Sequence, residues 1–98
     1  MAQYDVHAGT DGYLYVNIQA DTLSQLNTRV VIPLMRPEDA PAPSRHLNPG
    51  IAFDGETYLL VTQYMGATPL ASIGPVIGSL RHLDHRISRA LDLILHGI

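Results

Sequence analysis

Cysteine and lysine are both missing from this chain of 98 residues, and each absence closes a class of chemistry. Without cysteine there is no disulfide, no thiolate nucleophile and no thiolate metal ligand. Without lysine there is no Schiff-base amine and no P-loop ammonium to hold a phosphate. Tryptophan is absent too, and glutamate occurs only at Glu38 and Glu56. No apolar run approaches the roughly 20 residues that a membrane-crossing helix needs. The opening residues Met1 to Asp5 lack the basic start and apolar stretch of a secretory signal, so a cytoplasmic location is expected. The six cationic side chains are all arginines, and the formal net charge is −3, so no broad basic face for nucleic acid is expected.

What remains suits one small domain spanning residues 1–98. A chain of this length buries only about two-thirds of its unfolded surface, so dimerisation would be a natural supplement. Catalysis finds no constellation. The serines at 24, 44, 72, 79 and 88 form no G-x-S-x-G elbow. Asp54 belongs to a turn, and Gly74 to Gly78 carries Pro75 where a phosphate cradle wants N–H groups. Of five histidines, His82 and His85 stand one helical turn apart, but two ligands do not make a metal site. Neither an enzyme nor a cofactor or metal is expected.

The clearest helix is the last element. Leu83, Ile87, Ala90, Leu91 and Ile94 recur every three or four residues, which is one buried helical stripe. Asp84, His85, Arg86, Ser88, Arg89 and Asp92 make its solvent face. Gly97 is a good stop because it takes the left-handed conformation without a side-chain penalty. Packing is expected as far as Leu95, which would leave His96-Gly97-Ile98 exposed at a fixed place, as a binding element.

The rest reads mainly as strand. Short strands are expected at Tyr4–His7, Tyr13–Gln19 and Arg29–Leu34, the last buried on both faces and carrying Pro33 at a bulge, bend or edge. A loop covers Ala20 to Thr28, with Thr22 and Leu23 at its tip. Arg36 to Pro49 holds four prolines and reads as an extended surface loop. Asp54-Gly55 between apolar runs calls for a two-residue hairpin turn. Thr57–Gln63 returns from that turn and leads to a strand near Pro69–Ala71. Ile73 to Gly78 is expected to be a turn-rich connector. Tyrosines 4, 13, 15, 58 and 64 alternate with aliphatic residues and suit core packing and interface anchoring. The fold expected is mainly β with one C-terminal α-helix: a strongly curved antiparallel sheet, SH3-like in its barrel.

Several short motifs join this order of elements. They are Gln19-x-Asp21, Arg29-x-Val31-Ile32-Pro33-Leu34, Ile73-Gly74, Leu80-x-His82 and the closing Gly97-Ile98. In this order and spacing the chain resembles the CcdB family of plasmid-addiction toxins over essentially its full length. The resemblance implies a homodimer whose C-terminal helices lie close to the dimer axis. It implies a toxin that inserts between the paired A subunits of DNA gyrase and traps the enzyme on cleaved DNA, with no direct nucleic-acid or membrane binding. It also implies a CcdA-like antitoxin with a disordered segment that folds on binding. The family's gyrase contacts fall here on Thr22, Leu23, Asp92, Leu95, His96, Gly97 and Ile98. Arg45, Arg81, Arg86 and Arg89 are expected to meet an acidic antitoxin segment.

The chain departs from the pattern at its tip. His96 stands where gyrase-directed toxins of the family carry tryptophan. A tryptophan ring over an arginine of the target is worth about 0.5–2 kcal/mol, and a protonated histidine would repel that arginine instead. Thr22 and Leu95 replace isoleucine and phenylalanine. Two readings therefore stand: a topoisomerase inhibitor, acting on gyrase or topoisomerase IV, or a CcdB-like binding module with another target or a role as antitoxin sink.

Overall fold

Residues 2–98 are described by the computed structural model; Met1, the first residue of the segment read as lacking a signal, lies outside them. Among these residues seven strands form one antiparallel sheet: β1 (Asp5–Ala8), β2 (Leu14–Asn17), β3 (Thr28–Met35), β4 (Gly50–Phe53), β5 (Glu56–Leu60), β6 (Gly66–Pro69) and β7 (Val76–Ser79). An α-helix, α1 (Asp84–His96), follows. No helix among the described residues is long and apolar enough to cross a membrane.

The sheet is built on β3. Its run Val31-Ile32-Pro33-Leu34 is buried throughout, as an apolar run without alternation requires. One side of β3 pairs with β2, from Leu14↔Leu34 to Asn17↔Val31. The other side takes two partners in succession. β6 covers Thr28 to Val31, and β5 covers Leu34 and Met35. Pro33, which has no N–H to give, falls between those two partners. β1 extends the sheet beyond β2, and β4 extends it beyond β5.

The β4–β5 turn has the conformation its Asp-Gly pair favours. Asp54 and Gly55 both take positive φ, 51° and 79°, as a two-residue type I′ turn demands. Elsewhere the chain departs from expectation. Val76–Ser79 is a strand, β7, paired antiparallel with β1, and not a turn-rich connector. The penultimate strand ends at Pro69, where Leu70 begins a 3-10 turn, and β5 stops at Leu60. Gly74 and Gly78 look like breakers in sequence, but they serve close packing. A Cβ on Gly74 would lie 1.8 Å from the Ala8 carbonyl oxygen, and one on Gly78 would lie 2.5 Å from the Phe53 ring. Phe53 on β4 thus meets Gly78 on β7, and the two edges of the sheet curl towards each other.

Inside the curl lie Val6, Val16, Ile32, Leu34, Ile51, Leu60 and Leu80, closed off by Ile87 and Ala90 of α1. Tyr4 and Tyr58 pack against this cluster. Tyr4 takes φ 71°, an outlier for an aromatic residue. Its N–H donates to the Asn17 carbonyl at 2.6 Å, and its carbonyl accepts from the Leu80 N–H at 2.7 Å. The chain start thereby ties the end of β2 to the segment ahead of α1.

Candidate functional site

The helix end is less packed than its sequence suggests. Leu83 and Leu91 contact the core, and Ile87 and Ala90 are buried in it. Beyond Leu91 the burial fails: Ile94 is 36 % exposed, Leu95 62 % and Ile98 88 %. Packing therefore ends one turn earlier than Leu95. The reason is reach. A 13-residue helix spans about 20 Å, and only its first two to three turns have strands and 3-10 turns beneath them. Gly97 stops the helix as expected, with φ 76° and its N–H donating to the Leu93 carbonyl at 2.9 Å. Asp92, Leu95, His96, Gly97 and Ile98 are all exposed.

Thr22 and Leu23 sit in a 3-10 turn, Asp21–Leu23, and both are exposed. The sequence does not make plain how firmly that turn is held. The side chain of Arg29 is buried and donates to three carbonyls of the loop: Leu26 and Thr28 at 2.7 Å and Ser24 at 2.8 Å. Gln19 donates to the Leu23 carbonyl at 2.9 Å while its own oxygen accepts from Val30 N–H. Asp21 accepts from Gln3 N–H at 2.8 Å. A buried arginine is stable only when its N–H groups are satisfied, and these carbonyls do so. Gln19, Asp21 and Arg29 thus hold the turn that carries Thr22 and Leu23.

Within the chain, the turn and the helix tip are not joined by any hydrogen bond or ion pair among the described residues. Asp21 instead faces Arg81 at 4.0 Å, at the opposite end of the helical segment.

The expected arginine set divides. Arg45, Arg86 and Arg89 come together around a groove of about 360 Å3, completed by His46, Pro49 and Gly50. Arg81 lies outside it, beside Asp21. Among the described residues the ion pairs are Arg36–Glu56, Arg81–Asp21 and His85–Asp84, so none involves a groove arginine. His46 has no signal in the sequence apart from being next to Arg45.

A second surface is aromatic. Tyr13, just ahead of β2, and Tyr15 within it line a groove of about 380 Å3 with Asp11, Pro33, Met35 and Tyr64. Tyr13 and Tyr64 are exposed, so the expectation of core packing holds for Tyr4 and Tyr58 but not for these two. The Tyr15 hydroxyl donates to Asp11 at 2.5 Å. That bond and the Tyr13 N–H hold the Asp11 carboxyl below its usual range, while burial and then Asp11 push Tyr15 up to about 12. Tyr15 is therefore a fixed hydroxyl donor at neutral pH, and a poor base or nucleophile. Near the chain start, His7 is buried, with Nδ1 3.0 Å from the Gly74 carbonyl and Nε2 without a partner. Since a carbonyl only accepts, Nδ1 carries the proton. No group of three or more His, Cys, Asp or Glu suited to a metal occurs among the described residues.

Comparison with solved structures finds the same fold in a protein described as an endoribonuclease from Mycobacterial species. The TM-score is 0.80 at 11 % identity, covering 97 % of this chain and 90 % of the other. At that identity the likeness is one of fold. The family model described as CcdB protein matches residues 3–97, nearly the whole length. The curled seven-stranded sheet, the terminal helix and this match together place the chain in the CcdB family.

Proposed function

We propose that this protein is the toxin of a toxin–antitoxin module, acting by binding and not by chemistry, with a type II topoisomerase as its target. Membership of the CcdB family supports the toxin role. The observation that carries the target reading is the helix end: Ile94, Leu95 and Ile98 form an apolar tip left unpacked by the chain's own core. His96, Gly97 and Ile98 would wedge into the A subunit of DNA gyrase, flanked by Asp92, Leu95 and, from the turn held by Arg29, Thr22 and Leu23. A CcdA-like antitoxin would relieve the inhibition, as expected of a partner encoded beside a plasmid-maintenance toxin.

Membership of the CcdB family, for which the sequence resemblance implies a homodimer, favours a target surface shared by two copies. The reading therefore includes a two-fold homodimer with Leu93 or Leu95 near the interface. Sedimentation at micromolar concentration is expected to give a dimer, and a stable monomer would refute this part.

The test of the target is the yield of linear DNA from supercoiled plasmid in the presence of gyrase and ATP. The parent protein is expected to raise it, and His96→Trp to raise it further, since the larger ring covers more of the target and carries no charge. His96 itself favours a second reading, a CcdB-like module acting on another target or as an antitoxin sink. Growth inhibition with no gyrase cleavage would select it.

A further inference from the structure

We infer that the tyrosine groove on β2 and β3 binds an arginine side chain presented by a partner protein, its guanidinium paired with Asp11 among the rings of Tyr13, Tyr15 and Tyr64. The chain makes this kind of contact once within itself. The Tyr58 hydroxyl donates to Glu56 at 3.1 Å, and Glu56 pairs with Arg36 at 2.8 Å. The Arg36 guanidinium stands 6.0 Å from the centre of the Tyr58 ring, within reach of a cation–π contact. Tyr15 and Asp11 repeat the tyrosine–carboxylate half of that unit, with the hydroxyl donating at 2.5 Å. No cationic side chain among the described residues pairs with Asp11.

The hydrogen bonds of Asp11 select guanidinium over other cations. A carboxylate accepts at about four lone-pair sites, shared between its two oxygens. The Tyr13 N–H takes one on Oδ1 at 3.0 Å, and the Tyr15 hydroxyl takes one on Oδ2. Each oxygen keeps one site, which is what a guanidinium fork with two parallel N–H bonds requires. An ammonium has no such planar fork. Pro33 and Met35 offer apolar surface to the methylene stem.

The groove is built before any partner arrives. The β1–β2 turn is closed by the Gly9 N–H, which donates to the Tyr13 carbonyl at 2.7 Å, and by the Gly12 N–H, which donates to the Gly9 carbonyl at 3.1 Å. Gly9 is what lets Asp11 and Tyr15 meet. A Cβ there would lie 2.7 Å from the Asp11 carboxylate and 2.5 Å from the Tyr15 ring. The floor follows from register, since Tyr15 lies opposite Pro33, and Met35, two residues on, shares the Pro33 face of β3. Tyr64 completes the lining from a 3-10 turn, Thr62–Tyr64, whose buried Thr62 donates to the Leu47 carbonyl at 2.6 Å. Ordering costs on the protein side are therefore small.

Charge sets the class of partner. Among the described residues that line the groove, Asp11 alone is charged. An acidic segment, of the kind expected at Arg45, Arg86 and Arg89, is repelled here. Single-stranded nucleic acid stacks on such rings but needs cations along its backbone, and none lines this groove. None of the residues proposed to meet gyrase lines it either, so this inference stands apart from the target reading.

The test is an NMR titration of the full chain with a capped alanine peptide carrying one arginine at its centre. It is followed at the Tyr13 amide, whose hydrogen bond ends on Asp11. Saturable shifts are expected at Tyr13, Tyr15 and Tyr64. Lysine in place of the arginine should weaken binding about threefold or more, through loss of the fork. Citrulline, its neutral isostere, should weaken it about tenfold. Asp11→Asn keeps an oxygen for the Tyr13 N–H, and so the turn, but removes the charge; about tenfold weaker binding is expected. Tyr64→Ala removes one exposed ring and should cost about threefold. Glu38→Gln, at an exposed carboxylate outside the groove, should change nothing. Circular dichroism checks that each variant is folded. The inference is overturned by absent saturable binding, by lysine or citrulline binding as tightly as arginine, or by binding indifferent to Asp11→Asn. Tetramethylammonium displacing the peptide at lower concentration than guanidinium would also overturn it, in favour of an ammonium cage. Gyrase takes no part in the titration, so failure here and failure of the target reading give separate results.

Discussion

Deleting His96, Gly97 and Ile98 is expected to abolish growth inhibition while lowering the melting temperature by no more than about 5 °C. None of the three is buried, and the backbone bonds lost are confined to the last helical turn, Gly97 N–H to the Leu93 carbonyl among them. Such a bond contributes about 0.5–1.5 kcal/mol, less at a solvated helix end. The core contacts of Leu83, Ile87, Ala90 and Leu91 stay in place. Function and folding should therefore separate at this tip. Expression of the truncated chain at parental level, with colony counts and a thermal melt, decides it. Unchanged killing would remove the terminal tripeptide from the target-binding element. Killing lost together with a collapsed melt would show that the tip is structural instead.

A Gly74→Ala substitution should have the opposite profile, destroying stability at a residue outside the proposed target-binding surface. The added methyl would lie 1.8 Å from the Ala8 carbonyl oxygen, which is backbone and has no rotamer to change. Relief requires the segment to move away from β1. That movement breaks Ala8 N–H to the Pro75 carbonyl, at 3.1 Å, and the His7 contact with the Gly74 carbonyl, at 3.0 Å. His7 would then have both ring nitrogens buried and unpaired, since Nε2 already has no partner. Overpacking plus a newly orphaned polar group is expected to cost about 3 kcal/mol or more. In a domain this small that is a fall on the order of 15 °C in melting temperature. Gly66→Ala is the control, since nothing lies within 4 Å of its Cβ position. It should be nearly neutral. Equal melts for the two variants would refute the close-approach argument.

The local elements of this protein are legible in its sequence because each rests on a short-range rule. The helix follows from the spacing of Leu83, Ile87, Ala90 and Leu91, and its stop from Gly97. The hairpin follows from Asp54-Gly55, and the two-faced burial of β3 from an apolar run without alternation. The recurrence of the motifs from Gln19-x-Asp21 to Gly97-Ile98 was enough to name the family.

Tertiary structure alone decided the rest. Gly74 and Gly78 read as breakers because a glycine in sequence does not show what will approach it. Only the folded chain brings Ala8 and the Phe53 ring to those positions and turns Val76–Ser79 into a strand. Leu95 reads as packed because a stripe has no length scale of its own, and burial ends where the sheet beneath the helix ends. Arg45 joins Arg86 and Arg89 through Gly50, which is 36 residues from Arg86. Arg81 is drawn to Asp21 instead, at the other end of the chain. Periodicity and turn chemistry act over a few residues, so they determine elements. Which side chains share a surface depends on how the elements are folded back on one another, and no short-range pattern carries that.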